Sequence, residues 1–301
     1  MELTWFIRLR IAAAFAVGAL LIGVLAWPIV AGQTPFDPVA LGRQGISLGG
    51  AMTLAVLAFV SGFIGYFVSW PYGRHIGPIA APAGLTIWAF RSGSMANLIK
   101  ENSSVEQQLQ LFAVLRFEPI FWLAIVAVGF AGALAADKLV RRDKQTEKKM
   151  DHKSKANNYL NAAIGFIGSV LVAQWLIKIL VQDYAHADSQ LGSVTAQPVV
   201  AQIAFGVCVA FGAAAFGAKK LLNLSPAWTI IATAFVTPYL LMTYAKKTVL
   251  AYLTEYLPPV FFANSAVAVL PVQIVAFGTL GAIAGYWLGV RYSHWREHEK
   301  P

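Results

Sequence analysis

Charge is scarce in this chain of 301 residues: Asp, Glu, Lys and Arg together make up 12% of it, against roughly 25% in soluble domains. Cysteine is nearly absent. Cys208 stands alone, which excludes an internal disulfide and a cysteine-built metal centre. The five histidines, His75, His152, His186, His294 and His298, all lie outside the apolar stretches, which argues against haem ligation within them. No His-Glu-x-x-His, Cys-x-x-Cys or glycine-rich phosphate loop occurs, so metal and nucleotide chemistry are disfavoured and no cofactor is expected. Asp, Glu and His are also missing from mid-stretch positions, where ion-coupled transporters usually place them.

What fills the chain instead is hydrocarbon. Apolar residues reach 58% and are gathered into eight stretches: Ile11–Val30, Leu48–Trp70, Pro78–Asn97, Pro119–Ala136, Leu160–Leu180, Pro198–Ala218, Pro226–Ala245 and Val267–Val290. Each approaches the ~20 residues that a helix needs to cross ~30 Å of lipid. Helices apolar on nearly every face do not suit a water-soluble surface. The expected fold is therefore all-α: a polytopic membrane protein of eight transmembrane helices, with the lipid bilayer as its first partner. The opening stretch follows Arg8 and Arg10 but exceeds the ~7–15 apolar residues of a signal peptide, so it is read as a retained first helix.

Lys and Arg alternate in abundance from gap to gap. Sixteen fall in one set of gaps and five in the other, with Arg91 and Lys178 inside stretches. That bias places both termini in the cytoplasm, and the expected location is a bacterial inner membrane. Half of the sixteen lie between Asp137 and Lys155, interleaved with Asp137, Asp143, Glu147 and Asp151. Such a segment orients the protein and touches anionic headgroups. Without aromatic interleaving it offers nothing to nucleic acid.

This basic linker, residues 138–157, separates two halves, 1–137 and 158–301, that correspond at an offset of about 150 residues. Ala12-Ala13 and Gly18 answer Ala162-Ala163 and Gly168; Leu41-Gly42 answers Leu191-Gly192; Gly62 answers Gly212. Pro119 and Gly129 answer Pro271 and Gly281 at a shift of two more. Four spans per half give both halves one orientation, a parallel tandem repeat of four plus four. Each half also carries an outer amphipathic segment. Val105, Leu109, Phe112 and Arg116 share one helical face behind Ser103 and Ser104; Val249, Leu253 and Tyr256 share another before Pro258-Pro259. Both segments are expected to lie flat at the outer surface.

Three groups of residues stand out. Gly281, Gly285 and Gly289 recur every four residues, a pattern for close helix–helix packing in lipid. Arg91 lies amid Ser92, Gly93 and Ser94; either the third span stops near Phe90 and Arg91 reaches headgroups, or Arg91 is paired inside, with Glu118 as the natural partner. Gln174, Gln202 and Gln273, with Thr233 and Thr237, are either mid-depth site groups or interhelical hydrogen bonds. The string Gly45-Ile46-Ser47-Leu48-Gly49 resembles a nucleophile elbow but opens a membrane helix, not a strand-to-helix turn. No catalytic, cofactor or metal residue is nominated. The pattern suits a non-enzymatic subunit that scaffolds or completes a larger membrane assembly, with other membrane subunits or a second copy as partners. A transporter or channel with its path between the halves is the first alternative, and an intramembrane enzyme on a lipid-like substrate the second.

Overall fold

The computed structural model describes residues 5–31, 40–41, 45–140 and 155–298. Most of the basic linker, 141–154, and Arg43 lie outside the described residues. Among the described residues seven helices are long and apolar enough to cross a membrane. In chain order the helices are α1 (Trp5–Val30), α2 (Leu48–Val68), α3 (Ala80–Arg91), α4 (Met95–Glu101), α5 (Val105–Leu115), α6 (Glu118–Val140), α7 (Lys155–Leu180), α8 (Val200–Leu222), α9 (Pro226–Tyr244), α10 (Lys247–Tyr256) and α11 (Pro271–His298). The fold fits a multi-pass integral membrane protein. Ser47 of the Gly-x-Ser-x-Gly string caps α2, accepting from Gly50 N–H at 3.1 Å, which is the work of a helix entry.

The third apolar stretch does not form a long helix. α3 has 12 residues, about 18 Å at 1.5 Å per residue, well short of a hydrocarbon core. It ends at Ser92-Gly93, where Gly93 adopts φ +72°. Ser94 then caps α4 through the Asn97 N–H. Nine of the twelve α3 residues are buried, enclosed by α1, α2, α6 and α11. Interrupted backbone at depth is tolerated where protein surrounds it.

α11 is the axis of the bundle. Its apolar window is 72% buried, against 28% for α7, and it packs on α8, α9, α3 and α6. α7 is peripheral: Leu160, Ile164, Ile167, Leu171, Trp175 and Ile179 form an exposed face at helical spacing, an apolar surface suited to lipid chains rather than water. Gly281, Gly285 and Gly289 lie against α8. A Cβ on Gly281 would overlap the Cys208 carbonyl, one on Gly285 would overlap the backbone of Gly212, and one on Gly289 would press on the Lys219 side chain. A second seam joins α2 to α6, where Gly62 abuts the Gly129 carbonyl and Gly132 abuts the Phe59 carbonyl. A third joins α1 to α3 across Gly18, Ala80 and Gly84.

The chain is not wholly α. Strands β1 (Ala185–Asp188), β2 (Gly192–Ala196) and β3 (Phe261–Phe262) form an antiparallel sheet in the order β1-β2-β3. Asp188 pairs with Gly192 and Thr195 with Phe262. Asp188 organises the hairpin turn: its Oδ1 accepts from Leu191 N–H at 2.7 Å and Gln190 N–H at 2.9 Å, and its Oδ2 from the Tyr252 hydroxyl of α10. The Leu191 N–H above all holds this carboxyl below its ordinary range. Gly192 supplies the left-handed turn residue, φ +75°.

Of the two amphipathic segments, α5 starts behind a full capping box of Ser104 and Gln107. In α10 Leu250 is buried, Val249 and Leu253 are half-buried and Tyr256 is exposed.

The seams make a direct prediction. Gly285→Leu should lower thermal stability in detergent by about 1–3 kcal/mol or more, because the obstacle is backbone and cannot rotate away. Gly217→Leu on α8, where a Cβ meets nothing within 4 Å, should be neutral. Equal melting temperatures for the two variants would place the Gly285 face in lipid.

Candidate functional site

The polar residues of the first half converge near a distortion in α1. From Ala19 to Leu25 the helix widens to π geometry, in which each carbonyl looks for an N–H five residues on. For Gly23 that residue is Pro28, which has no N–H to give. Arg91 supplies the missing donor: its Nη1 lies 2.9 Å from the Gly23 carbonyl. One turn earlier on α3, Trp88 Nε1 donates to the Ile22 carbonyl at 2.7 Å. The Arg91 guanidinium also stands over the Trp27 ring, 5.4 Å from its centroid. Arg91 is the last residue of α3 and is exposed.

Glu118 is not bonded to Arg91. It is fully buried in the first turn of α6, a position that favours negative charge. Its Oε1 accepts from Trp122 Nε1 at 2.8 Å and from Ala40 N–H at 3.2 Å. It thereby pins the α1–α2 connection to α6. Arg91 and Glu118 are instead the two ends of a chain of indoles. Trp27 meets Trp88 edge-on at 4.7 Å and Trp88 meets Trp122 at 5.8 Å. Large rigid rings, with the Trp88 N–H spent on the backbone and the Trp122 N–H on Glu118, make a plug, not an open site.

The glutamines also serve structure. Gln273 sits in the first turn of α11, fully buried; its Oε1 accepts from Leu270 N–H and its Nε2 donates to the Ala89 carbonyl of α3 at 3.3 Å. Gln202, in the first turn of α8, donates to the Gln182 carbonyl at 3.0 Å just beyond the end of α7. Both sit at helix ends, not at mid-depth as their place in the apolar stretches suggested. Gln174 is half-buried on α7 and joins none of these bonds. Thr233 donates to the Ile230 carbonyl of its own helix, and the buried Thr237 hydroxyl has no partner among the described residues.

Sequence reasoning passed over Gln197 and Gln108. Gln197 Oε1 accepts from Ala96 N–H of α4 while its Nε2 donates to the Ala268 carbonyl, stitching the two halves together. Gln108 of α5 accepts from Thr254 of α10. The signal that could have exposed the Arg91 arrangement was Pro28: a proline deep in an apolar helix implies an outside donor for the carbonyl it orphans. Among the described residues no group of three His, Cys, Asp or Glu is placed to hold a metal. Compared with known proteins, the chain matches no family model, no curated protein and no solved structure.

A double-mutant cycle separates these bonds. Arg91→Ala should cost about 1 kcal/mol, and less in a Pro28→Ala background, where an N–H at residue 28 serves the carbonyl. Arg91→Ala and Glu118→Gln should add to within about 0.5 kcal/mol, because Arg91 bonds the Gly23 carbonyl while Glu118 bonds Trp122 and Ala40. Thermal unfolding in detergent reads both. Coupling of Arg91 to Glu118 rather than to Pro28 would contradict the geometry.

Proposed function

We propose that this protein is a non-enzymatic membrane subunit that scaffolds or completes a larger assembly. The observation that carries this reading is the closure of the seam between the halves. A transporter built of two repeats needs its path there. Here the seam holds α11, whose residues Val272, Ile274, Val275, Ala276 and Phe277 are buried almost completely, with Gln273 engaged at both ends of its amide. Close-packed side chains of this kind leave no room for a hydrated solute. Purified from its native membrane in a mild detergent, the protein should travel in a particle containing other chains or further copies of itself. A lone 32.5 kDa chain that passes small solutes in vesicles would overturn the reading in favour of transport.

The same proposal includes eight crossings, with the interrupted segment of α3 and α4 as the third, and a tandem origin of the halves. Support comes from equivalent packing. Gly62 approaches Gly129 between α2 and α6 as Gly212 approaches Gly281 between α8 and α11, and these are the residues that correspond in sequence. α3 packs on α11 as α9 packs on α6. The likeness is partial: Gly18 abuts Ala80, whereas a Cβ on Gly168 would meet open space. The excess of Lys and Arg at the end that bears the termini supports cytoplasmic ends in a bacterial inner membrane. Single cysteines at Ser225, in the α8–α9 turn, and at Ser189, in the hairpin, should label from opposite sides once Cys208 is replaced. Labelling from one side would break the topology.

A further inference from the structure

The two amphipathic helices do not close against each other. Between α4 and α5 on one side and α10 with the segment after it on the other lies a cavity of about 260 Å³. Phe112, Leu250 and Leu253 are among its apolar walls. Its polar lining groups are few: Lys100, Ser103, Gln108, Tyr244 and Thr254. Lys100 is the one charged residue in the lining. Gln108 lines the cavity; its amide nitrogen donates to none of the described residues, and its oxygen has only a long contact of 3.4 Å with the Thr254 hydroxyl, which also donates to the Leu250 carbonyl at 2.8 Å. That nitrogen is reached from the cavity and is free to donate to a guest there.

We propose that this cavity binds a single-chain anionic amphiphile of the fatty-acid class. The apolar walls take the hydrocarbon chain, Lys100 takes the carboxylate, and the Gln108 N–H donates to the same headgroup. The volume falls just below the ~300–1,000 Å³ of drug-sized sites, so one chain is accommodated and a two-chain lipid is not. The charge argument selects the sign: a cation in the lining and no carboxylate there favour an anion. The placement selects an amphiphile, since α5 and α10 carry both apolar and polar faces and join membrane-crossing helices. This inference stands apart from the subunit reading and does not need it.

The test uses the full chain in nanodiscs of zwitterionic lipid, with a dodecanoate probe bearing a terminal diazirine. Photolysis should label α5 and α10 around Phe112, Leu250 and Leu253, and unlabelled laurate should compete while dodecanol competes weakly. Lys100→Gln, an exposed change that leaves the fold alone, should weaken laurate about three- to tenfold, the scale of one partly screened charge-assisted bond. Leu253→Trp should fill the cavity and abolish competable labelling. If that variant fails to fold, the Lys100→Gln and dodecanol comparison decides. Labelling spread along the lipid-facing side of α7, laurate binding that ignores Lys100→Gln, or a co-purified protein segment crosslinked into the cavity would each overturn the proposal.

Discussion

A backbone carbonyl that loses its donor within hydrocarbon has no water to turn to, and the cost of leaving it bare is several kcal/mol. Much of the arrangement in this bundle follows from that constraint. Pro28 and the π segment free carbonyls at Ile22 and Gly23, and α3 ends where Trp88 and Arg91 can reach them. The interruption of the chain near Val269 and Leu270 is covered by Gln197 and Gln273. The end of α7 is met by Gln202 and by Ser265, whose hydroxyl donates to the Lys178 carbonyl. Polar side chains that look like candidates for chemistry are consumed in backbone repair.

This explains which features were legible in the sequence. Length and apolarity mark a helix whatever its neighbours, so α1, α2, α6, α7, α8, α9 and α11 lie within the stretches that hydropathy outlines, give or take a few residues. The glycine stripe of α11 is visible for the same reason, because small residues every four positions are a local pattern. The third stretch misleads because hydropathy does not distinguish lipid from protein as the apolar surroundings. α3 is apolar since it is enclosed, not since it is long. The strands at 185–196 are short and half polar, and their pairing depends on Asp188 and Gly192 forming a turn, with Tyr252 from a distant helix as support.

The pairing of Arg91 with Glu118 failed for a further reason. Opposite charges in an apolar chain invite each other in a one-dimensional reading, but each had a nearer obligation. Glu118 binds Trp122, one turn along its own helix, and the backbone of the preceding connection. Arg91 binds the helix that Pro28 had left incomplete. The three indoles lie between them, linking Trp27 beside Arg91 to Trp122 beside Glu118.

Rigidity and openness are therefore distributed unevenly. Along α11 the glycine seam brings backbone against backbone, and such contacts have one solution, because a carbonyl cannot repack as a side chain can. At the loop end α5 and α10 meet through side chains and one long hydrogen bond between Gln108 and Thr254, while Gln197 joins α4 to the second half. Side chains there have alternatives, and the space they leave is real. A bundle locked along its axis and loosely joined at one rim can hold its crossings fixed while that rim admits a ligand.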